Sequence, residues 1–83
     1  MTRDEALAAI FEERHLQDLS WRNRGVMDGQ YDYAAPHILL LEECTDKLRK
    51  AWYGVSDEGN LRDRLVKIAA VSLRALEEIK YTK

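Results

Sequence analysis

The stretch "LRDRLVKIAAVSLRALEEI", residues 61–79, decides the fold of this chain. Its apolar residues recur every three or four positions, which is the period of an amphipathic helix. The stripe predicted to face a core consists of Leu61, Leu65, Ile68, Ser72, Ala75 and Ile79, with Leu76 at its edge. A neighbouring stripe carries Arg64, Lys67, Val71 and Arg74. The sequence therefore predicts a helix with an apolar face and, beside it, two cations one turn apart.

Two helical segments are predicted before this one. The first starts at Thr2, since a glutamate three residues later completes a capping box. Its stripe begins apolar and turns polar: Leu7, Ile10, Phe11, Arg14, Gln17, Asp18 and Trp21. The second has a core stripe of Ile38, Leu41, Thr45, Leu48 and Trp52, and an adjacent stripe of Leu39, Glu42, Glu43, Asp46 and Lys50.

Helix boundaries follow from caps and breakers. Gly25 and Gly29 interrupt the chain after the first helix, and either Asp32 caps the second helix or that helix begins nearer Pro36. After a loop, Asn60 is a good cap for the third helix. We predict helices near residues 3–21, 34–53 and 60–80. No segment alternates like a strand, so the predicted class is all-α, a three-helix chain completed to a bundle by oligomerisation.

Composition sets the outer bounds on structure and function. Residues 1–83 are expected to form one small helical domain, which has a limited core and gains from forming a homodimer. Hydrophobic content of 46%, charged content of 34% and a formal charge of −2 fit a globular protein without a general attraction to nucleic acid or anionic membranes. Cys44 is the one cysteine, which fits a reducing cytoplasm.

Glu43 and Asp46 are the first candidate for chemistry. They lie at i and i+3, so both carboxylates share one helix face and have the geometry to hold Mg²⁺ with waters and phosphate oxygens. The simpler interpretation is a solvated face, in which Glu43 pairs with Lys47 and Asp46 with Lys50.

The order of motifs along the chain resembles the small phage and prophage branch of the MazG-like all-α nucleotide pyrophosphohydrolases. In that branch the first helix reads E-R-x-R-Q-D-x-K-W, the second L-x-E-E-x-x-E, and the third L-R-E-E-L-x-x-V-A-A-V. This sequence matches the first and second motifs at Glu13, Arg14, Gln17, Asp18, Trp21, Leu40, Glu42, Glu43 and Asp46. It departs at Leu16 and Ser20, where the motif has arginine and lysine.

The resemblance implies a helical dimer or tetramer that cleaves nucleoside triphosphates to monophosphate and pyrophosphate with Mg²⁺. It also implies that acidic side chains of the second and third helices hold the metal. In the third helix, however, the carboxylates of the family pattern E-x-x-D fall on Arg64 and Lys67. We interpret this departure as replacement of the metal by cross-helix ion pairs to Glu43 and Asp46.

Two classes of function follow from this departure. The first is a catalytically disabled MazG-like protein that binds or regulates a partner, in a phage setting an inhibitor of a host defence protein. It needs no cofactor and has no residue assigned to catalysis. The second is an active pyrophosphohydrolase, with Mg²⁺ held by Glu42, Glu43, Asp46 and Asp63. A third is a small structural subunit.

The polar end of the first helix is open to two interpretations. Arg14, Gln17, Asp18 and Trp21 form either a pocket wall that binds a nucleotide or a hydrogen-bonded network between helices.

Overall fold

A computed structural model describes residues 1–22, 30–54 and 60–81. Within those ranges the chain forms α1 (Arg3–Arg22), α2 (Ala34–Tyr53) and α3 (Leu61–Glu78), with a short 3-10 turn at Gln30–Asp32. The described part contains no strand, only an isolated bridge between Tyr33 and Tyr81. The all-α class is confirmed, and each predicted helix boundary lies within two residues of the observed one.

Local capping explains these boundaries. At the start of α1 the backbone N–H of Glu5 donates to Thr2 Oγ1 at 3.2 Å. At the start of α3 the backbone N–H of Asp63 donates to Asn60 Oδ1 at 2.9 Å, as predicted. The α2 terminus differs from the expectation at Asp32, since Tyr33 is the N-cap and makes no side-chain capping bond.

The third helix is the centre of the fold. Contacts between α1 and α3 advance together in residue number, from Ala6 near Leu65 to Asp18 near Arg74, so these helices run parallel. Contacts of α2 run the opposite way, with Leu41 near Ala75. In the described ranges α1 and α2 do not come within 8 Å of each other between Cα atoms. Among the three helices, the close backbone approaches are therefore those of α1 to α3 and of α2 to α3.

The buried side of α3 is not the predicted apolar stripe. The residues of α3 that are buried are Ala70, Val71, Arg74 and Ala75, whereas Leu65 is 53% exposed. The stripe containing Val71 and Arg74 is enclosed because it lies between the two outer helices. The predicted core face of α3, apart from Ala75, is half-buried or exposed.

The predicted core stripe of α2 is wrong in part. Ile38 and Trp52 are 52% and 69% exposed, and Thr45 is also exposed, whereas Leu41 and Leu48 of the same stripe are half-buried. Outside the stripe, His37 is buried and Leu40 and Cys44 are half-buried. The apolar positions of α2 and α3 are thus distributed over wider surfaces than one stripe each.

Many large apolar side chains consequently lie at the surface. Those exposed by more than half include Phe11, Leu16, Ile38, Leu39, Trp52, Tyr53, Leu65 and Leu76. Across the described part of the chain, no helix combines the length and the apolar character required to cross a membrane.

Backbone hydrogen bonds join the residues before α2 to the residues after α3. The carbonyl oxygen of Asp32 accepts hydrogen bonds from the N–H groups of Lys80 and Tyr81, at 2.8 and 3.1 Å. The rings of Tyr33 and Tyr81 stack with centroids 5.1 Å apart. These contacts join the residues before α2 to the residues after α3.

Candidate functional site

The acidic face of α2 is neutralised by cations of its own helix. Glu43 Oε1 lies 3.4 Å from Lys47 Nζ, and Asp46 lies 3.1 Å from both Arg49 and Lys50. Hydrogen bonds from Lys50 and then Arg49 are the main causes that lower the pKa of Asp46. The pairing with Lys47 and Lys50 is the arrangement that the sequence analysis named as a solvated face.

The cations of α3 lie close to α2, but Lys67 has a different partner from the one predicted. Lys67 Nζ lies 2.6 Å from Glu13 Oε1 of α1, so this cation joins α1 to α3. The positive charges of Arg64 and Lys67 nevertheless act on Cys44 of α2. The ion pair predicted between Lys67 and the carboxylates of α2 is therefore wrong in its partner, and an ion pair from Arg64 to Glu43 or Asp46 stays a prediction.

The pKa of the Cys44 thiol reflects its burial and the charges around it. Burial is the largest cause that raises the pKa of its thiol, and the negative charge of Glu43 raises it further. Lys47, Arg64 and Lys67 act in the opposite direction without reversing the shift. The thiol is thus held in its neutral form between charges of both signs.

Three of the four carboxylates proposed as metal ligands line two separate grooves, and Glu43 lines neither of them. Glu42 and Asp46 line a groove of about 380 Å³ on the outer side of α2. Asp63 lines another groove with Ala51 and Asn60, where α2 ends and α3 begins. Among the residues that the structure describes, no group of three or more His, Cys, Asp or Glu side chains is placed to hold a metal ion. The proposed ligand set does not fit a single metal site within one chain.

The polar end of α1 meets the polar stripe of α3. Arg14 pairs with Asp18 and lies 2.8 Å from Glu77 Oε2, with Glu78 Oε1 at 3.7 Å. Arg74 Nη1 lies 3.2 Å from Asp18 Oδ1, and its Nε lies 3.0 Å from Glu78 Oε1. Two arginines and three carboxylates therefore form one network between α1 and α3.

Burial makes this network more than a set of surface ion pairs. The side chains of Arg14 and Arg74 are 14% and 10% exposed. Burial alone would lower the pKa of Arg14, but its hydrogen bonds to Asp18 and Glu77 outweigh that effect and raise the pKa. Gln17 Oε1 is also buried here and has no hydrogen-bond partner among the described residues. A buried acceptor without a donor is an unsatisfied polar group, which lowers the stability of the fold.

His37 is the buried residue whose placement the sequence analysis did not identify. It is 1% exposed, and its Nε2 lies 2.8 Å from the carbonyl oxygen of Tyr31. A carbonyl oxygen only accepts, so Nε2 carries the proton and donates. The guanidinium of Arg74 lies 5.6 Å from the centroid of the Tyr31 ring. The ring centroids of Tyr31 and His37 are 5.1 Å apart. This chain of contacts connects the α1–α3 network to the start of α2.

Of the four predicted pocket-wall residues, Arg14 and Asp18 belong to the network. Gln17 lies on the same helix with its buried Oε1 unsatisfied, and the side chain of Trp21 lies outside the described part. Sequence reasoning missed the partners of Arg14 and Asp18 on α3, which are Arg74, Glu77 and Glu78. It also missed the pairing of Glu13 with Lys67. The signal that could have identified them is the polar stripe on α1 facing a polar stripe on α3 at matching spacing. Comparison with protein-family models, with curated proteins and with solved structures finds no match to this chain.

Proposed function

We propose that this chain is a catalytically inactive binding or regulatory protein on a MazG-like helical scaffold. One observation carries the proposal. Arg64 and Lys67 stand where the resemblance implies metal-binding carboxylates, and both lie near enough to α2 for their charge to act on Cys44. At these two positions of α3 the resemblance implies negative side chains, and this chain carries positive ones.

Electrostatics explains why this reversal opposes the chemistry. A divalent cation placed a few Å from an arginine and a lysine meets repulsion of several kcal/mol at the effective dielectric constant near a protein surface, by order of magnitude. The carboxylates of Glu43 and Asp46 already have cationic partners on α2. Neutralised carboxylates beside fixed cations attract a second positive ion weakly.

The same charges suit an anionic partner. Arginine offers a planar fork of donors and lysine a compact point charge, and both recognise phosphate or carboxylate groups. Nucleotide binding without cleavage is therefore compatible with this proposal. The resemblance to phage and prophage proteins makes a host protein, in particular a defence component, the regulatory target that we propose.

A specific observation also supports the enzymatic alternative. Glu42 and Asp46 line the same groove on α2, so two carboxylates remain side by side at an accessible surface. A magnesium-dependent pyrophosphohydrolase that used this groove would need its remaining ligands from another helix or another copy of the chain.

The deciding experiment measures pyrophosphate release from common NTPs and dNTPs with excess Mg²⁺ or Mn²⁺. We expect no turnover above the buffer control. Metal-dependent turnover that is lost in Glu43→Gln, but kept in Glu12→Gln as the matched surface control, would establish the enzyme instead. With no turnover, recovery of Mg²⁺ binding in the double variant Arg64→Glu, Lys67→Asp would show that the scaffold retains the geometry of the site.

A further inference from the structure

An apolar groove of about 330 Å³ lies between α1 and the first half of α3. The aliphatic residues on its two walls are Ala6, Ile10, Leu65, Val66 and Ala69. Among the described residues that line it, Arg62 is the one that carries a charge. We propose that this groove binds a medium-chain alkyl carboxylate, with the alkyl chain between the two helices and the carboxylate on the guanidinium of Arg62.

The charge of Arg62 is available to a ligand, unlike that of two other cations on the same helix. Lys67 and Arg74 each meet a carboxylate of α1. The side chain of Arg62 is exposed and makes no ion pair or hydrogen bond with a residue in the ranges 1–22, 30–54 and 60–81. Its neighbour Asp63 lies about 100° further round the helix and lines a different groove, which Arg62 also borders. An anion that reaches Arg62 therefore meets a cation that no described carboxylate has neutralised.

The walls of the groove favour a hydrocarbon chain. Ile10, Leu65 and Val66 are aliphatic, and the small side chains of Ala6 and Ala69 leave the furrow between the helices unfilled. Covering this apolar surface is favourable in proportion to the area removed from water. Within the described lining there is no aromatic ring and no uncharged hydrogen-bonding side chain. The lining thus offers apolar contact along its length and one charged contact at Arg62.

The size of the groove limits the length of the chain that it can hold. From Arg62 to Ala69, α3 advances by about 10 Å. The volume of about 330 Å³ is at the lower end of the range for small-molecule sites. The alkyl chain of octanoate suits this length, whereas the end of a long fatty acid would remain in water. Leu65 is 53% exposed, so one side of the ligand stays solvated and we expect a complex in fast exchange.

Charge selects the head group. A guanidinium presents parallel N–H donors that match the two oxygens of a carboxylate. A quaternary ammonium on the same alkyl chain would instead be repelled by Arg62. A second apolar groove on α3 provides an internal comparison, since no charged side chain belongs to its described lining, which is Leu41, Ser72, Ala75, Leu76 and Ile79. An alkyl carboxylate should therefore prefer the groove at Arg62.

This inference is independent of the proposed function, because it involves neither the metal-binding positions implied by the resemblance nor the acidic face of α2. Its test is titration of the ¹⁵N-labelled full chain with octanoate, below the concentration at which octanoate forms micelles. We expect saturable amide shifts at Ile10, Leu65 and Ala69, and much smaller shifts at Leu41 and Ile79. Octyltrimethylammonium has the same chain and the opposite charge, and it should bind at least about tenfold more weakly.

Paired variants separate the charge from the apolar walls. Arg62→Gln should raise the octanoate dissociation constant about tenfold, while Arg49→Gln, at an exposed arginine of α2 outside the groove, should leave it unchanged. Ala6→Leu fills the groove and should abolish the saturable shifts. Ser72→Leu places the same side chain in the groove without a cation and should preserve them. Circular dichroism verifies that the helices remain in each variant.

Several results would overturn the proposal. These are shifts that do not saturate, shifts of equal size in the two grooves, equal binding of the two head groups, or an effect of Arg62→Gln no larger than that of Arg49→Gln. Equal shifts and equal binding would identify non-specific adsorption of alkyl chains on apolar surface. If Ala6→Leu does not fold, Ala69→Leu fills the same groove from α3 and replaces it, and preserved binding in that variant also contradicts the proposal.

Discussion

The two interfaces of α3 differ in the side chains that form them. Toward α1, α3 presents Lys67 and Arg74, which meet carboxylates of α1. Toward α2, it presents small and apolar residues such as Ala75 near Leu41. The α1–α3 interface is apolar where Ala6 and Ile10 lie near Leu65 and charged from Glu13 onward. Its charged part and the apolar α2–α3 contact are held by forces with different directional requirements.

The charged and apolar contacts of α3 differ in how exactly their partners must be placed. Apolar contact is non-directional and tolerates an open edge, which α2 leaves along Ile38 and Leu41. A buried arginine requires carboxylates at defined positions, because an unpaired buried charge is strongly destabilising. Because α1 runs parallel to α3, its carboxylates Glu13 and Asp18 meet Lys67 and Arg74 in the same order along both helices. The charged interface consequently fixes the register of α1, and the apolar interface leaves a surface for other contacts.

The largest expected effect tests the charged interface. Arg74→Ala should lower the free energy of unfolding by about 3 kcal/mol, because it leaves Asp18 and Glu78 partly buried without this cation. Urea denaturation followed by circular dichroism measures the loss. Leu76→Ala, at an 84% exposed position of the same helix, is the control and should cost under about 0.5 kcal/mol. Equal losses in both variants would contradict the comparison.

A smaller effect is expected at the other charged contact. Lys67→Met should cost about 1–2 kcal/mol, since Glu13 is 13% exposed and loses its cation. The double variant with Glu13→Leu should recover part of that loss, because no unpaired charge then remains. The same urea titrations provide the numbers. If the double variant loses as much free energy of unfolding as the two single variants added together, Lys67 and Glu13 do not interact and the assigned contact is contradicted.

The smallest effect probes the region between α2 and α3 through Cys44. A raised pKa leaves less thiolate at pH 8, so alkylation by iodoacetamide should be slower than for a free cysteine. Glu43→Gln removes a charge that raises the pKa and should accelerate the reaction a few-fold, whereas Arg64→Gln should slow it. Arg49→Gln is the control, and its rate should equal that of the wild type. An unchanged rate in Arg64→Gln would place this cation away from Cys44.

The helices could be predicted because their signals are local. Thr2 and Asn60 form capping hydrogen bonds with residues three positions later, and Gly54 takes the left-handed conformation that ends α2. The buried faces could not be predicted in the same way. Periodicity identified Leu65 and Ile38 as core residues, yet both are more than half exposed. The side of α3 that is enclosed depends on which helices pack on it, and that is a long-range property.

The candidate site shows the same limit. Arg14, Gln17 and Asp18 were found because polar residues interrupted an apolar stripe, which is visible in one segment. Their partners lie more than fifty residues away on α3, so no local pattern links them. The aligned motifs predicted that Lys67 would pair with a carboxylate of α2, and it pairs with Glu13 of α1 instead. The choice of Glu13 as partner of Lys67 required the relative position of α1.

The backbone fastening at Asp32 has a consequence for how the chain folds. The α2–α3 hairpin is joined at one end by the loop between the helices and at the other by hydrogen bonds to Lys80 and Tyr81, which closes a ring of roughly fifty residues. Closing that ring costs entropy once, during hairpin formation, and α1 then attaches to an ordered surface. Native-state hydrogen exchange should therefore reveal a hairpin whose amides open together, while the amides of α1 open separately and at lower free energy.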